Sequence, residues 1–316
     1  MVEHVRLSAS RVKCASECSW RYYCKYELKV PDVSNDGARR GSVTHAVLEC
    51  LQRVEKPKRQ EYVEQMLAAK DPFVIPSIKR MVRAQSHHYE LILDEENWDM
   101  ISTFIMVGLK FDFFLEEFDL ADPELAFDHT EDHYRMIGFI DKHGISGDHA
   151  RIVDYKTSKI KFSEKELGFS IQALMYMLYL KKLYPNLTRI DCDFLFLKFV
   201  QKPLQRISLE GKVLEDSLLG VEEYLKYMGQ VLKDYNLEKA MSNFAADSQE
   251  TKWLCGRNPK KWKCPFRNEV KYYVILDDNG KVLQSHREKA KLTSKEGQVI
   301  KTRLYTGCPK FGWENR

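Results

Sequence analysis

Between Pro123 and Leu209 the apolar residues change period twice, and this switch constrains the fold more than any other feature of the chain. The runs 124-ELAFDH-129, 133-HYRMIGFID-141 and 151-RIVDYKT-157 are short and separated by polar or Gly-containing turns, the pattern of a meander of strands. From Ser163 to Leu183 the period returns to that of a helix, with Leu167, Ile171, Leu174 and Leu178 on one stripe that packs on the sheet. After Pro185, 189-RIDCDFLFLKF-199 reads as a buried strand and 203-PLQRISL-209 as the strand after it. A further helix is expected from about Leu214 to Met241. The fold class that follows is α/β, with a mixed central sheet from about Glu124 to Leu209 flanked by helices.

Upstream of this switch the chain reads as helical. Ser8 or Ser10 is an N-cap for a stretch reaching Leu28, 32-DVSNDGARRGS-42 is a polar loop, and 43-VTHAVLECLQRV-54 is a helix with His45 near its start. Residues 60–120 hold several helices, interrupted at Pro72 and Pro76 and ending in a long one from Trp98 to Phe118. Downstream, Asn279-Gly280 between two apolar runs signals a hairpin, and 298-QVIKTRLY-305 is another strand. These changes divide the chain into a helical region (1–122), a central core (123–242) and a basic, Cys-containing segment (243–316). No apolar run approaches the roughly 20 residues of a bilayer span, and the N-terminus lacks a signal-peptide core, so the expectation is a cytoplasmic protein, or one of the host-cell cytoplasm if viral, with no membrane partner.

The formal charge of +4 hides an asymmetry: residues 252–316 carry 16 Lys/Arg against 6 Asp/Glu, which leaves the first 251 residues at −6. Such a tail suits a polyanion, with Trp253, Trp262, Phe266, Tyr272 and Tyr273 as candidate base-stacking surfaces; a solvated lysine-rich surface is the alternative.

The residues that carry chemistry lie on the meander. On a strand, Asp154 and Lys156 point to one face while Tyr155 points to the other, and the preceding strand ends at Asp141. Two carboxylates and an amine can therefore meet at one spot. Oxygen ligands suit hard divalent cations, which polarise a phosphodiester and generate hydroxide, and an amine can hold or deprotonate the attacking water. A bare Asp-x-Lys is equally an ordinary ion pair at a sheet edge.

The surrounding residues extend the pattern. 138-GFID-141 precedes 152-IVDYKTS-158, Gln172 and Tyr176 stand one helical turn apart, Gly41 and His45 form G-x-x-x-H, and Ser8 to Arg11 form S-x-S-R. In this order the elements resemble the PD-(D/E)xK nucleases of the RecB-like exonuclease branch, relatives of the CRISPR-adaptation and phage exonucleases. The resemblance implies a restriction-endonuclease-like core and DNA hydrolysis with Mg²⁺ or Mn²⁺. It implies that Asp141, Asp154, the backbone carbonyl of Tyr155 and His45 are metal ligands and that Lys156 is catalytic. It also implies that Gln172 and Tyr176 contact the lysine, the water or the DNA backbone. Glu124 opens the strand where relatives often carry a glutamate near the metals, and is equally an ordinary exposed strand-end residue.

Several relatives also hold an iron–sulfur cluster with one early cysteine and a late trio spaced C-x2-C-x5-C. Here Cys255 and Cys264 are separated by eight residues and Cys308 is distant, so the spacing argues against a cluster. Cys18, Cys255, Cys264 and Cys308 would bind iron–sulfur or zinc only if the fold gathered them. Cys50 and Cys192 fall within apolar patterns as small core residues.

The resulting expectation is an exonuclease of recombination, repair or phage-type replication, working on DNA beside a helicase or a single-strand-annealing protein. No G-x-x-x-x-G-K-(S/T) loop is present in the sequence. A catalytically silent DNA-binding module and a restriction-type endonuclease on the same core are the alternatives. The first has no chemical need for Asp141, Asp154 and Lys156 together.

Overall fold

The structure, a computed structural model, describes residues 4–32, 35–111, 115, 117–256 and 263–312, and nine strands among them build two sheets. They are β1 (Val5–Leu7), β2 (Leu120–Glu131), β3 (Tyr134–Ser146), β4 (His149–Lys156), β5 (Arg189–Phe196), β6 (Leu204–Glu210), β7 (Val270–Leu276), β8 (Val282–His286) and β9 (Val299–Tyr305). The chain divides into two compact units. One comprises Met1–Leu7 and Ser34–Tyr227 and holds β1 to β6; the other comprises Ser8–Val33 and Met228–Arg316 and holds β7 to β9. The division cuts across the three sequence regions, because residues 34–122 share a unit with the meander and the first helices share one with the basic segment.

The α/β class and the mixed sheet hold in the first unit. β2 to β4 are the three strands read from the meander, and β5 and β6 are the two that follow. Neighbours run antiparallel at β2–β3, β3–β4 and β5–β6, and parallel at β4–β5 and β1–β3. The parallel β4–β5 pair needs a crossover, which the helix Ile171–Leu183 supplies. Strand β1 escaped the sequence reading because three residues are too few to show alternation.

One face of the sheet is covered by the helices Asp36–Gln52, Lys56–Ala69, Pro76–His88 and Glu95–Lys110. Val47, Leu48, Ile101 and Ile105 of these helices form one core with Val153 and Tyr155 of β4 and with Leu195 and Leu197 at the end of β5. Alternation along β4 that buries Tyr155 in this core points Asp154 and Lys156 to the opposite face.

Helix boundaries differ from the sequence reading at several points. The helix expected from about Leu214 to Met241 is Gly211–Leu232, and Asn236 caps a separate short one, Leu237–Ala240. The polar stretch 32–42 is not all loop: a helix starts at Asp36, with Asn35 Oδ1 accepting from the Ala38 N–H at 3.0 Å, so Gly41 and His45 lie inside it. Gly37 and Gly41 had masked that cap. The stretch Ser163–Leu183 is two helices, Glu164–Gly168 and Ile171–Leu183, because the Ser170 hydroxyl opens a new cap on Ala173. The long helix expected to end at Phe118 ends at Lys110; residues 112–114 and 116 lie outside the described residues.

In the second unit β7 is central in the order β8-β7-β9, and the Asn279-Gly280 hairpin is present with Gly280 at φ 76°. Tyr305 organises its core: the hydroxyl accepts from Trp20 Nε1 at 2.7 Å and donates to the Phe266 carbonyl at 2.7 Å. Phe266 and Tyr272 are fully buried in that core, which corrects their reading as base-stacking surfaces. Trp253 is 51% exposed, and Trp262 lies outside the described residues.

Gly138 is required by close packing. A Cβ there would lie 2.3 Å from Phe127 Cζ, and that ring stacks on Tyr179 and meets Tyr176 edge-on at centroid distances of 4.8 and 6.0 Å. Gly138→Ala is expected to destabilise the protein by about 1–3 kcal/mol. A thermal melt followed by circular dichroism should show the lowered Tm; an unchanged Tm would refute this packing.

Candidate active site

The site forms where one edge of β3 lacks a partner. On one edge of β3, β1 pairs with Tyr134–Met136 and β4 pairs with Lys142–Ser146, leaving residues 137–141 unbridged between them. The β3–β4 ladder stops at Lys142↔Val153, one residue short of the two aspartates. The Tyr155 N–H is met by a side chain, Asp141 Oδ2, at 2.8 Å. Asp141 Oδ1 lies 3.2 Å from His45 Nδ1, so the helix Asp36–Gln52 contributes its imidazole to the same place. The helix comes this close because residue 41 is glycine: a Cβ there would lie 2.7 Å from Thr157 Oγ1.

Asp154, Lys156, Gln172 and Tyr176 form a second, interlocked group. Lys156 Nζ lies 2.5 Å from Asp154 Oδ2 and donates to Gln172 Oε1 at 2.8 Å. Gln172 Nε2 donates to Asp154 Oδ1 at 2.8 Å and lies 2.6 Å from the Tyr176 hydroxyl, which is 3.4 Å from the same carboxylate oxygen. The amide thus fixes both the carboxylate and the amine, with Tyr176 behind it. Four separate elements bring His45, Asp141, Asp154, Lys156, Gln172 and Tyr176 together, all positions singled out in the sequence.

The electrostatics are unbalanced. Burial raises the Asp154 carboxyl above the usual carboxylate range even beside Lys156, and Asp141 adds to the rise. Burial acts the same way on Asp141, but His45, the Tyr155 N–H and Lys156 together hold it below that range. Burial lowers His45, yet Asp141 outweighs it and holds the imidazolium above its ordinary value.

Two carboxylates and an imidazole at one sheet end form a donor set that suits a hard divalent cation, and such an ion would offset the carboxylate excess. Among the described residues, no group of three or more His, Cys, Asp or Glu side chains is arranged to hold a metal ion. In this structure Lys156 stands against Asp154, while His45 and the Tyr155 N–H meet Asp141.

A cleft of about 370 Å³ opens on the site, lined by His45, Asp141, Tyr155, Thr157, Glu49 and Glu124 among others. Glu124 falls between the pairs Pro123↔Lys142 and Leu125↔Ile140 of the β2–β3 ladder, with φ 43°, a left-handed conformation inside a strand. A hydrogen bond with Glu49 pushes Glu124 up to about 6. The sequence reading missed Glu49, although it lies one helical turn after His45, a spacing that places both on one face.

The second unit gathers the other candidate ligands. Cys18 is buried, and Cys255, Cys264 and Cys308 pack partly buried against the same core. Burial pushes the Cys264 and Cys308 thiols up to about 11 and 12; Cys18 and Cys255 add to both shifts, and Cys264 to that of Cys308. Burial and then Cys18 raise Cys255. Cys192 is a buried core residue, as expected, whereas Cys50 is only partly buried.

The combination of a mixed sheet, a strand-end carboxylate pair and a lysine two residues on defines a nuclease-type hydrolytic site. The model of the PD-(D/E)XK nuclease superfamily matches residues 6–268. The chain belongs to that superfamily, whose members generally use divalent metals such as Mg²⁺. Two relatives, from Clostridium botulinum and Clostridium tetani, each carry the name of a subunit of an ATP-dependent helicase/deoxyribonuclease. The first is 23% identical over 99% of this chain and 30% of its own length; the second is 24% identical over 76% of this chain and 23% of its own. The chain thus spans under a third of the curated relatives it matches, and their names are consistent with the RecB-like branch.

Because Gln172 holds both Lys156 and Asp154, Gln172→Ala should slow phosphodiester hydrolysis roughly 10- to 100-fold while the far-UV spectrum is kept. Single-turnover kinetics measure this, and a wild-type rate would remove Gln172 from the site.

Proposed function

We propose that this chain is a Mg²⁺- or Mn²⁺-dependent deoxyribonuclease, acting as an exonuclease in DNA recombination, repair or phage-type replication. The observation that carries the reading is the interlocked set of His45, Asp141, Asp154, Lys156, Gln172 and Tyr176 at one unpaired sheet end. Asp141, Asp154, His45 and the Tyr155 backbone carbonyl would hold the metal, with Glu124 at the rim of the cleft as a further carboxylate. When bound, the ion supplies charge to polarise the phosphate and acidifies water. Lys156 holds the attacking water and takes up negative charge developing on the phosphate, while Gln172 keeps its ammonium in place and Tyr176 braces Gln172. The relatives' names support a helicase as the partner, with a recombination protein such as a single-strand-annealing protein as the alternative.

A second reading concerns the cysteines. We propose that Cys18, Cys255, Cys264 and Cys308 share a soft-metal centre, an iron–sulfur cluster in the first instance. What supports it is that all four pack on one core, where burial raises the Cys255, Cys264 and Cys308 thiols, a cost that a cation bound to thiolates removes. The four thiols are not set as a metal-binding group in this structure.

End-labelled linear and closed circular DNA, incubated with Mg²⁺, Mn²⁺ or EDTA, test the first reading. Linear DNA should be degraded, circles spared and EDTA inhibitory, and Asp154→Ala or Lys156→Ala should abolish the activity. Cut circles would favour the endonuclease alternative, and inert wild-type protein that still binds DNA would favour the silent module. For the second reading, protein purified without oxygen should be coloured and contain iron and acid-labile sulfide, both lost in Cys264→Ser. Colourless, iron-free wild-type protein would remove the cluster.

A further inference from the structure

β4 and β5 leave the sheet side by side: the Leu197 N–H donates to the Lys156 carbonyl at 2.8 Å. The segments beyond them stay together, for Lys161 Nζ donates to the Lys202 carbonyl and lies 5.0 Å from the centre of the Phe199 ring. These segments carry Lys159, exposed, and Lys198, partly buried. A third cation comes from the His45 helix. Arg40 directly precedes Gly41, whose backbone presses on Thr157, the residue after the catalytic lysine.

The Arg40 side chain is only 11% exposed, donates to Asn97 Oδ1, lies 3.8 Å from Glu96, and has an Nε with no hydrogen-bond partner. Glu96 is itself 77% exposed, so it offsets little of this charge. Burial, then Lys159 and Arg40, hold the Lys198 ammonium below its ordinary value. Ala38, Gly41 and Thr157, within two residues of Arg40 or Lys159 in the chain, line the same cleft as His45 and Asp141.

Lys159 and Arg40 repel Lys198, and all three stand on segments that carry the cleft residues Gly41 and Thr157 or run beside them. An anion held between them would relieve the repulsion. We infer that Arg40, Lys159 and Lys198 clamp a backbone phosphate of the nucleic-acid strand, adjacent to the phosphate presented to Asp141, Asp154 and Lys156. This rests on the nuclease reading and adds to it a contact that registers the strand without reading its bases. Arg40, locked by Asn97, is the fixed wall of the clamp, and the two lysines are its adjustable side.

Anisotropy of a labelled single-stranded oligonucleotide, titrated in EDTA at several KCl concentrations, tests the clamp without any hydrolysis. Lys198→Gln should weaken binding and reduce the steepness of log K against log [salt] by about 0.7, as loss of one phosphate contact does on single strands. Lys159→Gln should act alike, Lys198→Arg should restore the slope, and Lys212→Gln should leave it unchanged. Since the removed cation is one its neighbours repel, Tm of Lys198→Gln should be equal to or above wild type, unlike that of a structural residue. Wild-type affinity and slope in Lys198→Gln would overturn the clamp alone. Wild-type protein that binds no DNA would overturn the clamp and the DNA-nuclease reading together.

Discussion

The interruption of the β3 ladder at residues 137–141 is what the rest of the site depends on. A continuous antiparallel pair would join Asp141 and Asp154 through backbone bonds and occupy the Tyr155 N–H. With the pairing to β1 ending at Met136 and that to β4 starting at Lys142, that N–H is free to take the Asp141 carboxylate, and the strand ends part enough for side chains to enter. Close packing at two glycines then closes the site from above and below. Gly138 admits the Phe127 ring, which abuts Tyr176, and Gly41 lets the His45 helix rest on Thr157.

The same gap creates an electrostatic demand. Asp154 is buried beside Asp141 and answered by a single lysine, and Gln172 and Tyr176 add dipoles but no charge. Pairing within the protein is incomplete, which is the condition under which a divalent cation gains most from entering. Glu124 and Glu49 extend the carboxylate lining of the cleft, while Arg40 and Lys159, close in the chain to the cleft residues Gly41 and Thr157, raise the positive potential at Lys198.

Most of this site was legible in the sequence because its residues obey strict local periods. Asp154 and Lys156 at i and i+2, and Gln172 and Tyr176 at i and i+4, each share a face by geometry alone, and the structure places them in contact. Properties set by distant segments were not legible. β1 is too short to show alternation, Glu49 and Arg40 acquire meaning only from the strands their helix meets, and Phe266 and Tyr272 look like exposed aromatics until Tyr305 folds over them. Linear spacing likewise does not show that Cys255, Cys264 and Cys308 pack against the same core as Cys18.

The central claim is that Asp141, released from the ladder, and Asp154 hold a divalent ion together. Electron paramagnetic resonance of Mn²⁺ titrated into the wild-type protein and Asp141→Asn tests this most directly, without reference to any substrate. The account predicts a tight Mn²⁺ site in the wild type that weakens by about tenfold or more in the variant, with the fold unchanged. Equal Mn²⁺ affinity in the two proteins would contradict it.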